Sequence, residues 1–379
     1  MKIAVVNESA AGFTKGEARV AATPDAVKFY VGKGHKVTVA KGAGVKANFF
    51  DAEYKDVGAS IAATNDACVK TADLVMSITG GPKTLPAKLK KGAGLTGLLN
   101  PTDHPNFVKA CTKAGITAYA LEYIPRISRA QAMDVLSSQS NLSGYRCVVE
   151  AASIYGRAFP MMMTAAGTIA PAKVFVMGAG VAGLQAIATA RRLGAVTTAT
   201  DVRPAAKEQV ASLGAKFIAV ENEEFKEAET AAGYAKSMSK EYQKLQAKLT
   251  AKHISKQDIV ITTALIPGRP APKLIDKAML KSMKPGSVLI DLAVERGGNV
   301  AGAKPGEIVT TANGVHIVGY LNWPSRMAAD SSNMFARNLR NLLPLMSAED
   351  GSYAPDWDDE IIQGCALTKD GAIVHERLK

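Results

Sequence analysis

The sequence predicts an α/β fold with two domains, each a mainly parallel sheet flanked by helices. Short β-rich runs alternate with helical stretches from one end of the chain to the other, which is the pattern of βαβ units. The runs in the middle of the chain are continuously apolar, as expected for strands that are covered on both faces. The 379 residues are enough for two domains, at roughly 100–200 residues per domain.

The first domain is predicted to comprise 1–137, with 329–379 returning to it at the end of the chain. A helix over 24–32 begins with a proline, which the first turn of a helix accommodates. A later helix is expected over 329–345. The strands of this domain are predicted at 2–6, 36–40, 73–78 and 116–121, with one further possible strand at 372–375.

The second domain is predicted over 138–328, and two helical stretches at 128–135 and 143–159 connect it to the first. One segment, 221–248, is long, charged and without a strand, which is typical of a surface excursion or a mobile loop. We expect the mobile part at about 221–240. The strands of this domain are predicted at 173–178, 196–201, 216–220, 258–263, 287–293 and 316–320.

The strongest motif follows the first strand of the second domain and reads GAGVAG at 178–183. Gly178 allows the tight turn, Gly180 lets the backbone approach a diphosphate, and Gly183 permits close packing of helix on strand. The helix N-terminus binds the diphosphate through its unpaired N–H groups. Asp201 ends the next strand, where an acidic residue accepts hydrogen bonds from the ribose hydroxyls of adenosine.

This context predicts a Rossmann-type dinucleotide site. A carboxylate at Asp201 repels a 2′-phosphate and so favours NAD over NADP, whereas Arg203 is close enough to accommodate such a phosphate. Two loops rich in Gly and Pro, 262–272 and 291–299, follow later strands and are expected at the carboxyl edge of the same sheet, where ligands bind. Ordinary turn chemistry explains each of these two loops equally well.

Charge and composition exclude other classes of protein. The formal net charge is +12, but the basic residues are dispersed and no aromatic platform is interleaved with them, so we expect no nucleic-acid partner. The charge-poor stretch 161–180 is interrupted by Gly, Pro and Lys173, and it does not predict a membrane span. The N-terminal residues lack the pattern of a signal peptide. The four cysteines are far apart and predict buried thiols in a cytoplasmic protein.

The segment PRISRAQAMD (125–134) has two interpretations. Ser128 and Gln131 fit a capping box at the start of an ordinary helix. The alternative is a functional role, because the segment joins the two domains and carries polar side chains. Elsewhere the five histidines are scattered, and the sequence shows no acid–base pair or metal-ligand cluster. In this context we favour the functional interpretation.

Several motifs also carry a family resemblance. PRISRAQAMD, MMMTAAGTIAPAKV, GAGVAGLQAIATA, TDVRPAAKEQV, TAAGYAKSMS and TTALIPGRPAP resemble the alanine dehydrogenase/transhydrogenase family. Within it they are similar to the NAD(H)-binding domain I components of proton-translocating transhydrogenases, in the form where the first part of the alpha subunit is a separate chain. The resemblance covers nearly all of the chain. It implies a homodimer of two Rossmann-like domains, with a nucleotide cleft between the domains.

The resemblance implies roles for individual residues. The polar loop beside the nicotinamide ring would contain Arg126, Ile127, Ser128, Gln131, Ala132, Met133, Asp134 and Ser137. Its candidate catalytic residues are Arg126, Gln131, Asp134 and Ser137. The diphosphate would lie against Gly178, Ala179, Gly180, Val181 and Gly183, and the adenosine against Asp201, Val202 and Arg203. Further nucleotide contacts would come from Gln246, Ala264 and Leu265, and from Gly233 and Tyr234 in a mobile loop that folds over the nucleotide.

The reaction that the resemblance implies passes hydride between NADH on this component and NADP⁺ on a partner component. It would be a Si-Re-specific NAD(P)⁺ transhydrogenase, active only with its partner subunits. A membrane component would couple the transfer to proton translocation and hold this chain at the cytoplasmic side of the inner membrane. A hydride that passes between two nicotinamide rings leaves no substrate oxygen to protonate, so the reaction requires positioning rather than a general acid.

Alanine dehydrogenase is the nearest alternative, because it shares the two-domain plan and the pattern EARVAATP (17–24). It would need an arginine, a lysine and a histidine for its substrate. Arg19 fits the arginine, but no lysine follows the strand near Ser77, and Asn100 stands where the histidine is expected, with His104 nearby. The missing lysine also departs from the transhydrogenase pattern.

A second alternative is a non-catalytic NAD-binding module. Such a module would keep the glycine turn and Asp201. It would have no reason to keep the polar segment 126–137 or the tyrosine loop, and on that ground we favour the transhydrogenase component.

Overall fold

The computed structural model describes residues 1–228, 238–266 and 269–379, and it divides the chain into two compact units. Unit 1 comprises Met1–Gln139 with Pro324–Lys379, and unit 2 comprises Ser140–Trp323. Each unit contains a mainly parallel sheet flanked by helices, as predicted.

The sheet of unit 1 has six parallel strands in the order β3-β2-β1-β4-β5-β6. The strands are β1 (Lys2–Val5), β2 (Lys36–Ala40), β3 (Ser60–Ala62), β4 (Leu74–Met76), β5 (Gly94–Gly97) and β6 (Thr117–Ala120). The helices in this part of the chain are α1 (Pro24–Gly32), α2 (Asp51–Asp56), α3 (Asn65–Val69), α4 (Pro105–Ala114) and α5 (Val135–Ile154).

The main sheet of unit 2 has the order β11-β10-β9-β12-β13-β15-β14, and its strands are parallel except for the antiparallel edge pair β14–β15. The strands of unit 2 are β7 (Met162–Thr164), β8 (Gly167–Ile169), β9 (Lys173–Met177), β10 (Val196–Thr200), β11 (Lys216–Phe217), β12 (Ile259–Thr262), β13 (Val288–Asp291), β14 (Ile308–Thr310) and β15 (His316–Val318). The helices are α6 (Val181–Arg192), α7 (Ala206–Ser212), α8 (Glu223–Lys226), α9 (Lys240–Ile254) and α10 (Lys277–Ser282).

The last segment returns to unit 1. It contains α11 (Ala328–Leu342) and α12 (Glu360–Cys365), followed by a short antiparallel pair of strands, β16 (Thr368–Lys369) and β17 (Ala372–Ile373). The final strand lies within the predicted range 372–375.

Both sheets are buried on both faces, as the continuous apolar runs predict. In β1, Ile3 and Val5 belong to one apolar cluster and Ala4 belongs to the cluster on the opposite face. In β9, Val174 and Val176 face one cluster and Phe175 faces the other. Side chains of successive residues point to opposite faces of a strand, so each residue of these runs contributes to a core.

Several predicted boundaries are wrong. β3, β5 and β14 were not predicted, and the predicted strand 216–220 is paired only over Lys216–Phe217. The two helical stretches predicted at 128–135 and 143–159 are instead a 3-10 helix, Ser128–Met133, and one long helix, α5. The segment 221–248 is not a structureless excursion, because its last part belongs to α9.

The four cysteines are free and buried, as predicted. Burial raises the pKa of the Cys68, Cys111 and Cys365 thiols to about 12, and it raises the pKa of Cys147 as well. None of the described helices combines the length and the apolar character that crossing a bilayer requires.

Candidate functional site

The glycine motif of unit 2 forms a tight turn between β9 and α6. Gly178 has a φ of 106°, and a Cβ there would lie 2.5 Å from the Thr263 hydroxyl oxygen. A Cβ at Gly183 would overlap the carbonyl oxygen of Gly178. Glycine is therefore required at both positions, at one by backbone conformation and close contact and at the other by close packing of the helix on the strand.

The N-terminus of α6 is open to a ligand. Gly180 occupies the N-cap position, and its side chain can supply no hydrogen bond to the first turn. A Cβ at Gly180 would meet nothing within 4 Å. The first N–H groups of a helix have no partner within it, and together with the helix dipole they favour an anion. The loop therefore fits a diphosphate.

Asp201 lies beside this turn, directly after β10. Its Oδ2 accepts a hydrogen bond of 2.7 Å from the backbone N–H of Ala179, so the carboxylate is anchored to the glycine loop. The structure thus brings Asp201 together with the diphosphate loop, as the motif predicts.

Arg203 makes an ion pair with the same carboxylate. Its backbone N–H donates to Oδ1 at 2.9 Å, and its Nε and one terminal nitrogen donate to Oδ1 and Oδ2 at 3.0 and 3.1 Å. The Asp201 side chain is only 8% exposed, against 29% for Arg203. The guanidinium therefore occupies the side of Asp201 that the sequence assigns to ribose.

Apolar side chains are exposed around this edge of the sheet. They belong to Val181 at the start of α6, Val202 after Asp201, and Leu265 after β12. Exposed apolar side chains close to a polar anchor are suited to the faces of an adenine ring. All three were predicted as nucleotide contacts.

The loop that carries Ala264 and Leu265 is fixed by a buried asparagine that was not predicted. Asn299 accepts from the Ala264 N–H at 3.1 Å and donates to the Ala264 and Pro272 carbonyls at 2.9 and 2.8 Å. Its amide thus bonds to Ala264 in both directions, as a neighbouring strand would. Thr263 adds a bond of 3.0 Å from its hydroxyl to the Gly178 carbonyl.

Gln246 has a structural role in this conformation. Its side chain bonds to the Thr200 hydroxyl at 3.1 Å and accepts from the Val220 N–H at 3.0 Å, which ties α9 to the edge of the sheet. Gly233 and Tyr234, the predicted residues of the mobile loop, lie outside the described residues.

The polar segment predicted beside the nicotinamide belongs to unit 1. Ser128 does not cap the 3-10 helix, because Ile127 occupies the N-cap position and no side chain bonds to the first turn. The predicted capping box of Ser128 and Gln131 is therefore wrong. Arg126, Ser128, Gln131 and Ala132 are exposed, and Ala130 is buried beneath them.

Asp134 is the residue that caps a helix in this segment. Its Oδ1 accepts from the Ser137 N–H at 2.9 Å and its Oδ2 accepts from the Ser137 hydroxyl at 2.5 Å. The Ser138 N–H in turn bonds to the Asp134 carbonyl. Two of the predicted catalytic residues are thus in contact at the N-terminus of α5.

The rest of the segment is anchored from beneath. Arg129 forms a double hydrogen bond with Asp359, at 2.7 and 2.9 Å, and the hydrogen bonds from Arg129 hold the pKa of the Asp359 carboxyl below its usual range. The Ala132 carbonyl accepts from the amides of Asn338 and Asn341 in α11. Ile127 and Met133 pack against the core of unit 1. This arrangement leaves Arg126 and Gln131 on a fixed backbone.

Unit 1 also contains buried charge at the carboxyl edge of its own sheet. Glu8 accepts from the backbone N–H groups of Ile78 and Thr79 after β4, and also from the Thr79 hydroxyl at 2.5 Å. Burial, with the charge of Glu17, raises the pKa of Glu8 to about 7.

The neighbouring pair Glu17–Arg19 has the opposite balance. Burial raises the pKa of Glu17, but the Arg19 guanidinium, 2.8 Å away, and hydrogen bonds outweigh it and hold that pKa at about 2. Arg19 also donates to Gln139 at 2.8 Å. The arginine that an alanine dehydrogenase would use for its substrate is thus buried and ion-paired.

Comparison with known proteins agrees with this geometry. The model of the alanine dehydrogenase/PNT N-terminal domain matches residues 4–143, and that of the C-terminal domain matches 147–376. The first part of NAD(P) transhydrogenase subunit alpha of Rhodospirillum rubrum, a separate chain, is 53% identical over 385 aligned positions, covering 100% of this chain and 99% of the relative.

The chain belongs to the alanine dehydrogenase/PNT family. A crystal structure of transhydrogenase from Sinorhizobium meliloti superposes with a TM-score of 0.85 at 47% identity, covering 100% of both chains. An alanine dehydrogenase of Methanococcus maripaludis is 30% identical over 75% of this chain and 70% of the relative. Within the family, the chain is therefore more similar to these transhydrogenase chains than to that dehydrogenase.

Proposed function

We propose that this chain is the NAD(H)-binding component of a proton-translocating NAD(P) transhydrogenase. The observation that carries the proposal is the open glycine turn with Asp201 beside it, in a chain that matches a transhydrogenase alpha-subunit chain over its full length. Hydride passes between NADH on this chain and NADP⁺ on a partner component, in a transfer of the Si-Re-specific type. A membrane component couples the transfer to proton translocation.

The residues of unit 2 bind the nucleotide. The N–H groups of the first turn of α6 hold the diphosphate, and Gly180 leaves room for it because no atom lies within 4 Å of a Cβ at that position. Asp201 binds the adenosine ribose, and Val202, Arg203 and Leu265 line the adenosine. Gly233 and Tyr234 fold over the bound nucleotide, and Gln246 and Ala264 make further contacts.

The residues of the polar segment orient the nicotinamide. Asp134 uses two of its acceptor sites on Ser137, and a carboxylate has about four, so it can also accept from the carboxamide NH₂ group. Arg126 and Gln131 supply donors and an acceptor for the same group. Hydride transfer between two rings needs them in near contact and needs no proton at a substrate oxygen. The nucleotides supply the hydride chemistry, and the chain supplies position.

An exposed hairpin supports the proposed homodimer. β7 and β8 form a two-stranded antiparallel sheet, and all residues over 160–170 are exposed, including Met161, Met162 and Met163. A two-stranded hairpin is marginally stable alone in water. Open strand edges with exposed apolar side chains favour pairing with a second chain. We propose that a second copy of this chain covers the hairpin.

The proposed location follows from the partners. The chain lies at the cytoplasmic side of the inner membrane and is held there by the membrane component of the enzyme.

The proposal is tested by mixing the purified chain with the NADP(H)-binding component and measuring NADH-dependent reduction of an NADP⁺ analogue. We expect R126A, Q131A and D134N to lower the rate about 100-fold, because misplacement of reacting groups by about 1 Å costs that much. R129A removes the other arginine of the segment, whose guanidinium is bound to Asp359, and it should stay near the wild-type rate. Absence of transfer, or alanine-dependent reduction of NAD⁺ by the chain alone, would overturn the proposal.

A further inference from the structure

The carboxylate of Asp201 has no acceptor site left for a ribose in this conformation. Each of its oxygens accepts two hydrogen bonds: Oδ1 from the N–H and the Nε of Arg203, and Oδ2 from the Ala179 N–H and a terminal nitrogen of Arg203. A carboxylate offers about four lone-pair sites, so all of them are used. A ribose that binds Asp201 must therefore replace one or more of these donors.

The four donors fall into two classes. The N–H groups of Ala179 and Arg203 belong to the backbone, one in the glycine loop and one at the start of the next turn. They hold the carboxylate in place independently of the Arg203 side chain. The other two donors are guanidinium N–H groups, and they can leave together by rotation of one side chain.

We infer that Arg203 is a displaceable competitor for the ribose and thereby sets nucleotide affinity and the choice between NADH and NADPH. The guanidinium places one donor on each oxygen of Asp201, at 3.0 and 3.1 Å. The 2′- and 3′-hydroxyls of a ribose are likewise two adjacent donors, so the diol can take over these two sites with both backbone bonds unchanged. This inference rests on the proposed binding of NAD(H) at this site.

The exchange has opposite consequences for the two nucleotides. NADH must break the ion pair before its diol can bind, so the pair lowers its affinity. After displacement the guanidinium carries an unpaired positive charge close to the 2′ position. A 2′-phosphate would attract that charge while Asp201 repels it, which gives NADPH a residual affinity. Arg203 thus weakens NADH binding and supports NADPH binding.

The test compares R203A and R203Q with K207A, all in the full chain. Lys207 lies in α7 and pairs with Glu221 at 2.5 Å on the exposed surface, so K207A removes the same charge without contact to Asp201. Dissociation constants for NADH and NADPH are measured by calorimetry. NADH should bind R203A about three- to tenfold tighter than K207A, the range of a partly exposed ion pair, and NADPH should bind it more weakly.

Ligands that lack one hydroxyl give a sharper measurement. AMP should gain affinity in R203A, whereas 2′-deoxy-AMP should gain less, because it can fill only one of the two released sites. Equal gains for both ligands, or an NADH affinity in R203A that is equal to or weaker than in K207A, would overturn the exchange and make Arg203 a support for Asp201. Failure of the wild-type chain to bind NADH would instead overturn the proposed function.

Discussion

The carboxyl edges of the two sheets have the same strand topology and opposite chemistry. In each unit the chain reverses direction beside its first strand, at β1 and β4 in unit 1 and at β9 and β12 in unit 2, and ligands of open α/β sheets bind at such switch points. In unit 1 the carboxylate of Glu8 occupies this edge and takes the backbone N–H groups that follow β4. In unit 2 a glycine turn leaves the N-terminus of α6 uncapped.

Two helix N-termini repeat the contrast. α5 begins at a capped end, because Asp134 satisfies the N–H and the hydroxyl of Ser137. α6 begins at Gly180, which has no side chain to do so. The fold thus provides anion-binding amides in both units, and a single acidic side chain decides whether the protein itself or a ligand satisfies them.

The largest expected effect concerns the glycine turn. G183A places a Cβ on the Gly178 carbonyl and should destabilise unit 2 by about 3 kcal/mol, as overpacking does, with loss of NADH binding. G180A is the matched control: its Cβ meets nothing within 4 Å, so the protein should keep its stability and lose only NADH affinity. Thermal unfolding and calorimetry distinguish the two. Equal stability of G183A and G180A would contradict the packing argument.

A smaller effect is expected for Glu8 in unit 1. The pKa of its carboxyl is raised from 4.5 to about 7, so the folded state favours the protonated form, and this contribution to stability is lost as the pH rises through that range. The loss amounts to about 2–3 kcal/mol, because each tenfold difference in proton affinity between the folded and unfolded states corresponds to about 1.4 kcal/mol.

E8Q carries no titrating group and should remove this pH dependence. Urea unfolding of wild type and E8Q at pH 5 and pH 7.5 measures the difference, and NADH affinity serves as the control, which should not change. A wild-type stability that is flat, or that increases, between these pH values would refute the assignment to Glu8. Glu17 does not interfere, since its pKa of about 2 places its own loss of stability at lower pH.

The smallest effect is expected at the capped end of α5. D134A removes the cap and should lower stability by about 1 kcal/mol, whereas D134N keeps a capping oxygen and should remain near wild type. Only the nucleotide-dependent rate should fall in both. Chemical denaturation of the two variants side by side measures the cap. If D134N loses as much stability as D134A, the negative charge, and not the hydrogen bond, stabilises this helix end.

The regions of the molecule that follow from local spacing could be predicted from the sequence. The GAGVAG turn and Asp201 are brought together by one βαβ unit, so their separation along the chain determines their contact. β5 was missed because its sequence, GLTG, has two glycines, which weaken a strand. The structure explains them: a Cβ at Gly94 would lie 2.5 Å from the Tyr353 hydroxyl, and one at Gly97 would lie 2.8 Å from the Ser77 hydroxyl.

The errors at the candidate site have a different cause. Ser128 and Asp134 both match the pattern of a helix cap, and the sequence does not show which one lies at a helix end. The pairing of Arg203 with Asp201 and that of Asn299 with Ala264 depend on side-chain conformation and on contacts between distant segments. No local pattern encodes such contacts.

The buried cysteines make the native chain nearly inert to thiol reagents. The thiolate is the reactive form, and burial raises the pKa of Cys68, Cys111 and Cys365 to about 12, so very little thiolate exists near neutral pH. Mild oxidants and alkylating probes should therefore pass over the wild-type protein. A single cysteine introduced on the surface would be labelled selectively, and the natural sequence can carry a spectroscopic probe without first being stripped of its own thiols.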